Sequence, residues 1–243
     1  MNFNVLTIFP EIFDIFESGV ISKALANKNF SLNCLNIRDH AINKHGQIDA
    51  KPYGGGEGMV MMAEPLKKSL EDIPSRELGH VIYLSPQGSK LNQNKVIKLS
   101  KMKSITLICG RYEGIDQRFI DKYVDEEISI GDFILSGGEY AAICLIDSVV
   151  RNIPGAIGNE ESVSNDTFSK GLLKGSVYTR PEIFDDLEVP KILLSGNHSK
   201  IEDWKMTNSL IQTHLRRPDL LNDVKLTNKQ RKLLEESTSK DIL

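Results

Sequence analysis

The sequence predicts an α/β protein with a parallel sheet, and two observations lead to this prediction. Short apolar runs rich in β-branched residues alternate along the chain with segments of helical periodicity. Strands and helices that alternate in this way form parallel sheets covered by helices. The 243 residues, of which 40% are hydrophobic, are sufficient for one large core and a smaller second unit.

Each predicted element rests on its own local pattern. The apolar runs predicted to be strands are residues 3–8, 32–37, 81–84, 105–109 and 127–130. The segments predicted to be helices between and after them are residues 11–17, 20–27, 64–70, 92–101, 116–123 and 139–151. The last of these helices is apolar on most sides, which predicts that it is buried, and Pro154 and Gly155 end it.

The C-terminal part of the chain is predicted to be a separate helical unit. Residues 159–176 are polar and without a sustained period, which is typical of a linker between residues 1–158 and 177–243. Ile201, Trp204, Ile211 and Leu215 follow helical spacing, and a further short helix is predicted from Thr227. Residues 191–243 carry 10 Lys and Arg against 7 Asp and Glu, whereas the whole chain has a formal charge of −3. Nucleic-acid contacts are therefore expected from local clusters.

Composition and motifs exclude several classes of protein. Cys34, Cys109 and Cys144 lack paired spacing and are predicted to be reduced core thiols. The longest apolar stretch, residues 141–146, is far shorter than the roughly 20 residues of a membrane span. The N-terminus lacks the pattern of a signal peptide, so a cytoplasmic protein without a membrane partner is expected. No spacing typical of metal ligands, of a dinucleotide fingerprint, of a P-loop or of a serine hydrolase is found.

Three glycine-containing loops each follow a predicted strand. They are YLSPQG (83–88), CGRYEGID (109–116) and SIGDFILSGGE (129–139). Ligands of α/β proteins bind at the carboxyl ends of strands, and glycines let the backbone approach a ligand closely. The loops together predict a pocket for a flat base and a ribose. For each loop by itself, the alternative that Gly and Pro only mark turns stays open.

The ordered motifs KPYGGGEGMVM, YLSPQG, CGRYEGID, SIGDFILSGGE, IPGAIG, YTRPE, LLSGNH and LRRPDL resemble the TrmD family of tRNA (guanine-N1)-methyltransferases, from Phe3 to about Leu221. The resemblance implies a SPOUT-type parallel sheet with a deep trefoil knot and a small helical C-terminal domain. It also implies a homodimer with active sites at the subunit interface, tRNA as the partner, and no role for DNA. The expected reaction transfers a methyl group to N1 of the guanosine immediately 3′ of the anticodon.

S-adenosyl-L-methionine is the cofactor that the resemblance implies, bent among the three loops. The residues expected to bind it are Tyr83, Leu84, Ser85, Pro86, Gln87, Gly88, Gly110, Tyr112, Glu113, Gly114, Ser129, Ile130, Gly131, Asp132, Phe133, Ile134, Leu135, Gly137 and Gly138. Apolar side chains and backbone groups of this kind suit adenine. Assistance by Mg²⁺ is hinted at by the resemblance, although no dedicated protein ligand cluster is expected.

The catalytic residues also come from the resemblance. Guanine N1 carries a proton, so methylation requires a base near N1 and a cation or strong donor near O6. The family motif places these roles on Asp166 and Arg151, respectively. Without the resemblance, Asp166 would be interpreted as a linker carboxylate or a helix cap, and Arg151 as a cation favoured by a helix C-terminus.

Contacts with RNA are predicted in both halves of the chain. The residues are Arg38, Lys51, Tyr178, Arg180, Arg216 and Arg217. The segment LLKGSVYTRP departs from the family pattern, because Lys174, Ser176 and Val177 stand where an acidic residue, a proline and a histidine are common. The departure leaves open how the linker orders over the target guanosine and which neighbouring nucleotide it reads.

Three other functions remain as alternatives. A SPOUT methyltransferase acting on another RNA would not be expected to combine a carboxylate base with a C-terminal RNA-binding domain. A non-catalytic RNA-binding or assembly protein would be expected to lose the cofactor loops or Asp166, and both are present. A nucleotide-binding metabolic enzyme would not require the basic C-terminal unit.

Overall fold

A computed structural model describes residues 1–158, 166–169, 171–222 and 224–238. The chain divides into two compact units, Met1–Glu160 and Glu161–Leu243, which we call the first and the second unit. Each is described by itself. Among the described residues, no helix combines the length and the apolar character needed to cross a membrane.

A five-stranded parallel sheet forms the centre of the first unit, in the order β2-β1-β6-β5-β7. Its strands are β1 (Asn2–Thr7), β2 (Ser31–Asn36), β5 (His80–Lys90), β6 (Ser104–Cys109) and β7 (Glu126–Ser129). The predicted α/β class with a parallel sheet is thereby confirmed. All six residues of β6 are buried, as expected for a central parallel strand covered on both faces.

Helices cover both faces of this sheet. The α-helices of the first unit are α1 (Gly19–Ala26), α2 (Ala63–Glu71), α3 (Ser75–Leu78), α4 (Gln93–Leu99), α5 (Gln117–Tyr123) and α6 (Glu139–Val150). Two 3₁₀ helices, Pro10–Glu17 and Ile37–His40, complete the set. The first of these lies where an α-helix is predicted, and its buried Phe13 and Phe16, three residues apart, match the three residues per turn of a 3₁₀ helix.

Helix α6 is the most deeply packed helix of this unit. Seven of its residues are buried, including Leu145, Ile146 and Val149, and it contacts β1, β6, α1 and α4. Tyr140 and Cys144, one turn apart, are exposed. The prediction of three core thiols is therefore wrong for Cys144, because helical periodicity places it on the outer face of an otherwise apolar helix.

Strand β5 continues through the segment predicted to be the first cofactor loop. Leu84 and Ser89 both lie opposite Ile128 of β7, so residues 85–88 leave the ladder before pairing resumes. A loop of this kind inside a strand re-aims its backbone and side chains away from the sheet. The predicted loop is therefore present, but it interrupts a strand rather than following one.

A two-stranded antiparallel ribbon in the first unit was not predicted. It consists of β3 (Asp49–Ala50) and β4 (Val60–Met61), and Met61 also forms a bridge with Ile115. Strands of two residues carry too short a pattern to be recognised. The ribbon holds together the two ends of the glycine-rich segment between them.

The described residues of the second unit form two α-helices and a small hairpin. Its elements are β8 (Ile183–Phe184), β9 (Leu187–Glu188), α7 (His198–Arg216), α8 (Asn228–Thr238) and the 3₁₀ helices Lys191–Leu194 and Pro218–Asn222. Asn197 caps α7 by accepting a hydrogen bond from the Lys200 amide at 3.1 Å. The hairpin was not predicted, because its strands are short and its turn is made of Asp185 and Asp186 with positive φ.

Candidate cofactor pocket and catalytic residues

A cavity of about 390 Å³ opens at the carboxyl ends of β5, β6 and β7. Its volume lies in the range of small-molecule sites. Three loops and the start of α6 form its walls. The lining residues are Tyr83, Leu84, Ser85, Pro86, Gln87, Gly110, Arg111, Tyr112, Glu113, Gly114, Ile128, Ser129, Ile130, Gly131, Phe133, Ile134, Leu135, Ser136, Gly137, Gly138 and Ala141.

The structure brings 17 of the 19 residues predicted to bind cofactor to this cavity. Gly88 and Asp132 are not in its lining. A Cβ atom on Gly88 would overlap the backbone of Glu127 and Ile128, so this glycine packs against β7. The Asp132 carboxylate forms an ion pair with Lys90 at 2.5 Å. Both residues therefore make structural contacts outside the pocket.

Two of the loops approach each other with no space for a side chain between them. The Gly138 amide donates a hydrogen bond to the Gly110 carbonyl at 2.9 Å. A Cβ atom on Gly138 would lie 2.8 Å from the Cα atom of Cys109. The loops after β6 and β7 therefore meet through their backbones, and this contact shapes the floor of the cavity.

A buried ion pair, which sequence analysis missed, also joins these two loops. The fully buried Glu139 carboxylate accepts hydrogen bonds from the Thr7 hydroxyl at 2.9 Å and from Arg111 Nε at 3.0 Å. Arg111 Nη1 donates to the Ser136 carbonyl at 3.2 Å, and its guanidinium lies 4.5 Å from the centre of the Phe9 ring. Arg111 stands inside the motif CGRYEGID, and this position is the one feature of the sequence that could have marked it as a residue of the site.

Burial keeps two titratable side chains at or next to the cavity, Tyr83 and Cys109, in their protonated form. Burial raises the pKa of Tyr83 to about 12, with a smaller contribution from the charge of Glu127. Burial also raises the pKa of Cys109 well above its ordinary value. Neither side chain is therefore ionised for use as a base or nucleophile near neutral pH.

The rim of the cavity is more exposed and largely apolar. Phe133, Ile134, Leu135 and Tyr112 leave a substantial part of their side chains in contact with solvent. Glu113 is the carboxylate of the cavity wall. A pocket of this composition combines apolar contact, backbone hydrogen-bonding groups and one negative charge.

The two residues predicted to be catalytic lie in different units. Arg151 follows α6, and its amide donates to the Asp147 carbonyl at 3.1 Å. Asp166 is half-buried in the second unit, where its Oδ1 accepts a hydrogen bond from the Thr167 amide at 2.9 Å. Residues 159–165 and 170 of the predicted linker lie outside the described residues.

The residues predicted to bind RNA are exposed, but they differ in their contacts. Arg38 Nη1 donates to the Gly46 carbonyl at 3.2 Å, and the Tyr178 ring lies 6.2 Å from that of Trp204. Arg217 forms a two-pronged contact with Asp219, at 2.9 and 2.7 Å, which raises the pKa of this arginine. The remaining candidates, Lys51, Arg180 and Arg216, are also exposed.

No cluster of three or more His, Cys, Asp or Glu side chains arranged to hold a metal ion occurs among the described residues. Lys174 and Ser176, which depart from the family pattern, have defined backbone contacts instead. The Lys174 amide donates to the Thr167 hydroxyl at 3.3 Å, and the Ser176 amide donates to Asn208 Oδ1 at 2.6 Å. The segment after Asp166 is thus attached to α7 through Ser176.

Comparison with known proteins decides the family. The sequence profile described as tRNA (Guanine-1)-methyltransferase TrmD matches residues 1–223. The chain belongs to the TrmD family. A tRNA (guanine-N(1)-)-methyltransferase of Pseudoalteromonas translucida (strain TAC 125) is 51% identical over 233 residues, covering 95% of this chain and 91% of the relative.

Other relatives within the TrmD family show the same extent of similarity. A protein of the same name from Buchnera aphidicola subsp. Baizongia pistaciae (strain Bp) is 49% identical, covering 99% of this chain and 98% of the relative. One from Staphylococcus aureus (strain JH9) is 45% identical, covering 97% of this chain and 96% of the relative. Similarity of this extent reaches beyond the pocket loops into the second unit.

Proposed function

We propose that this protein is an S-adenosylmethionine-dependent tRNA (guanine-N1)-methyltransferase that modifies the guanosine immediately 3′ of the anticodon. The observation that carries the proposal is the cavity enclosed by three glycine-containing loops at one edge of the parallel sheet. Apart from Ile128 and Ala141, the residues that line it belong to the motifs YLSPQG, CGRYEGID and SIGDFILSGGE, and the curated relatives are named tRNA (guanine-N(1)-)-methyltransferase. The names of the relatives support tRNA as the substrate, and the cavity supports S-adenosylmethionine as the cofactor.

The cavity residues fit S-adenosylmethionine. Gly110 and Gly131 line the cavity, and the rings of Tyr83 and Phe133 fill the positions that Cβ atoms would take there. Ile130 and Leu135 offer apolar contact to an adenine ring. The Glu113 carboxylate suits a cationic group. When bound, the cofactor supplies a methyl group activated by its positively charged sulfur.

The protein's own residues then act on the acceptor base. The Asp166 carboxylate accepts the proton from guanine N1, which frees the nitrogen lone pair for methylation. The Arg151 guanidinium stabilises the negative charge that develops on O6. A positioned general base contributes about 10²–10⁴-fold to a rate, so these two side chains are expected to govern turnover and not cofactor binding.

The assembly that we propose is a homodimer of knotted subunits, with each active site at the subunit interface. Residues 1–158 form the methyltransferase domain, residues 159–176 the linker that carries the base, and residues 177–243 the domain that binds tRNA. Tyr140, Cys144 and Ile134 are exposed in the first unit, and an interface of this kind would cover them. Mg²⁺ acts, if required, without a dedicated set of protein ligands.

The alternative is a methyltransferase of the same superfamily that acts on another RNA. Single-turnover methylation of an unmodified tRNA transcript separates the two. We expect incorporation of one methyl group into the transcript with guanosine 3′ of the anticodon, and none when adenosine replaces it. Methylation that survives this replacement, or that occurs only on other RNAs, contradicts the proposed specificity.

A further inference from the structure

The tip of the β3–β4 ribbon, residues 51–59, carries an aromatic side chain that folding does not explain. Tyr53 is 99% exposed at this tip. The glycines that follow it, Gly54, Gly55 and Gly56, all have positive φ, which holds the tip in a conformation few other residues adopt. An aromatic ring on the surface contributes nothing to the core, whereas such rings commonly serve to bind a partner.

The base of this tip is hydrogen-bonded to the second cofactor loop. The Glu113 amide donates to the Met59 carbonyl at 2.9 Å, and the Met61 amide donates to the Gly114 carbonyl at 3.0 Å. A Cβ atom on Gly58 would lie 2.6 Å from Cγ of Glu113, so the tip and the pocket wall are in close contact. The tip that carries Tyr53 therefore adjoins the wall of the cofactor pocket.

Two cations accompany the ring. Lys51 lies exposed in the same tip, and Arg118 is 77% exposed at the start of α5, where it forms a two-pronged contact with Asp116 at 2.9 and 2.7 Å. The Asp116 amide donates to the Met61 carbonyl at 2.9 Å, which places the start of α5, and with it Arg118, beside the base of the tip. An exposed ring flanked by cations is a common arrangement in surfaces that bind single-stranded nucleic acid.

We propose that Tyr53 stacks on a base of the substrate RNA adjacent to the guanosine that is methylated, with Lys51 and Arg118 contacting the neighbouring phosphates. This inference rests on the proposed function. A guanine whose ring nitrogen is methylated must leave its stack to enter the pocket, so its neighbour loses a stacking partner. The ring at the pocket edge replaces that partner, and the cations fix the register of the backbone.

Binding of an anticodon stem-loop to the full-length protein tests the stacking contact. We expect Tyr53→Ala to raise the Kd for the stem-loop by about 5- to 150-fold, the range that corresponds to the loss of one base–aromatic stack. Tyr53→Phe should retain the wild-type affinity. An abasic nucleotide is placed in turn on each side of the target guanosine. At the stacked position, the abasic RNA weakens wild-type binding but adds no further loss to Tyr53→Ala. Unchanged affinity of Tyr53→Ala, or additive losses at both positions, overturns the inference.

The phosphate contact has a matched control within the chain. Arg118→Ala is expected to reduce the slope of log Kd against log salt by about 0.7, the value for one phosphate of a single strand. Arg76→Ala should leave the slope unchanged, because Arg76 is similarly exposed and paired with Glu77 but lies in α3, before the amino end of β5. Equal slopes for Arg118→Ala and Arg76→Ala contradict the phosphate contact.

Failure of this inference is distinguishable from failure of the proposed function. Wild-type protein that does not methylate the guanosine transcript refutes the function, whereas the binding measurements above need no turnover. Normal methylation by wild type together with unchanged RNA affinity of Tyr53→Ala refutes only the stacking. In Tyr53→Ala, the affinity for S-adenosylmethionine measured by calorimetry and the oligomeric state are expected to equal those of the wild type. A change in oligomeric state would indicate that Tyr53 contacts a second copy of this chain, and this result overturns the inference.

Discussion

The two units of the chain bury their side chains to very different extents. In the first unit, every residue of β6 and seven residues of α6 are buried. In the second unit, the 19-residue α7 buries only Leu210 and Thr213. Because apolar burial supplies most of the stability of a fold, the first unit can hold a preformed pocket. The second unit leaves most of its surface available for a partner, which suits the proposed division between cofactor and tRNA.

Hydrogen bonds rather than a large apolar core hold the segment that follows Asp166, the proposed general base. The Leu173 amide donates to the Thr213 hydroxyl at 3.0 Å, and the Ser209 hydroxyl donates to the Leu173 carbonyl at 2.5 Å. Together with the contact between Ser176 and Asn208, these bonds attach the segment that follows Asp166 to one face of α7. Hydrogen bonds of this kind contribute about 1 kcal/mol each, so the segment is held in place without a large core.

The largest expected effect comes from substitution of Asp166 in the second unit, which should lower the rate of methylation but leave cofactor binding to the first unit unchanged. Asp166→Ala should lower the single-turnover rate of tRNA methylation by about 10²–10⁴-fold because N1 keeps its proton. Binding of S-adenosylmethionine, measured by calorimetry, should stay near the wild-type value because the pocket belongs to the first unit. Asp166→Asn should behave in the same way, since an amide does not accept the proton. Glu182→Ala, which removes an exposed carboxylate of the second unit, is the control and should remain active. A large loss of cofactor binding in Asp166→Ala would assign this residue to the pocket instead.

A smaller effect is expected from crowding the pocket floor. Gly138→Ala places a methyl group 2.8 Å from the Cα atom of Cys109, where only backbone can move. The φ of −73° is acceptable for alanine, so the penalty comes from packing. We expect a cost of about 1–3 kcal/mol, seen as weaker binding of S-adenosylmethionine in calorimetry. Gly158→Ala meets no atom within 4 Å and should bind normally. Equal affinities for the two variants would mean that the loops after β6 and β7 adjust freely.

The same difference in burial determines which features the sequence could predict. The strands and α6 were predictable because long apolar runs and helical periodicity reflect packing against one core. The cofactor loops were predictable because glycine-containing loops after three separate strands are typical of a ligand site at the carboxyl edge of a parallel sheet. The Arg111–Glu139 pair was not, since it joins residues 28 apart through a fold that periodicity does not describe. The hairpin of the second unit was missed because nothing buries its apolar side chains in a regular pattern.

The smallest effect is the response of the first unit to alkaline pH. Burial raises the pKa of Cys109 well above the ordinary 9.0, and burial together with the charge of Asp14 raises that of Cys34 to about 11. In the unfolded chain both thiols lose their protons near pH 9, whereas in the folded unit they keep them. The unfolded state then binds fewer protons, so the free energy of unfolding falls as pH rises, by up to about 1.4 kcal/mol per pH unit for a fully buried thiol. This stability is complete below pH 9 and decreases above it.

Urea unfolding between pH 8.5 and 10 measures this decrease separately in the two units. Trp204, the single tryptophan, reports on the second unit by fluorescence, and far-UV circular dichroism reports on the whole chain. Among the described residues of the second unit, the pKa shifts belong to Arg217 and Asp219, which titrate outside this window. We therefore expect the midpoint seen by dichroism to fall with pH while the fluorescence midpoint changes little. Cys109→Ala should lower the stability at pH 8.5 but reduce the slope, because the buried thiol that releases its proton on unfolding is gone. Parallel slopes for both probes, or an unchanged slope in Cys109→Ala, would show that the alkaline response arises outside the core beneath the pocket.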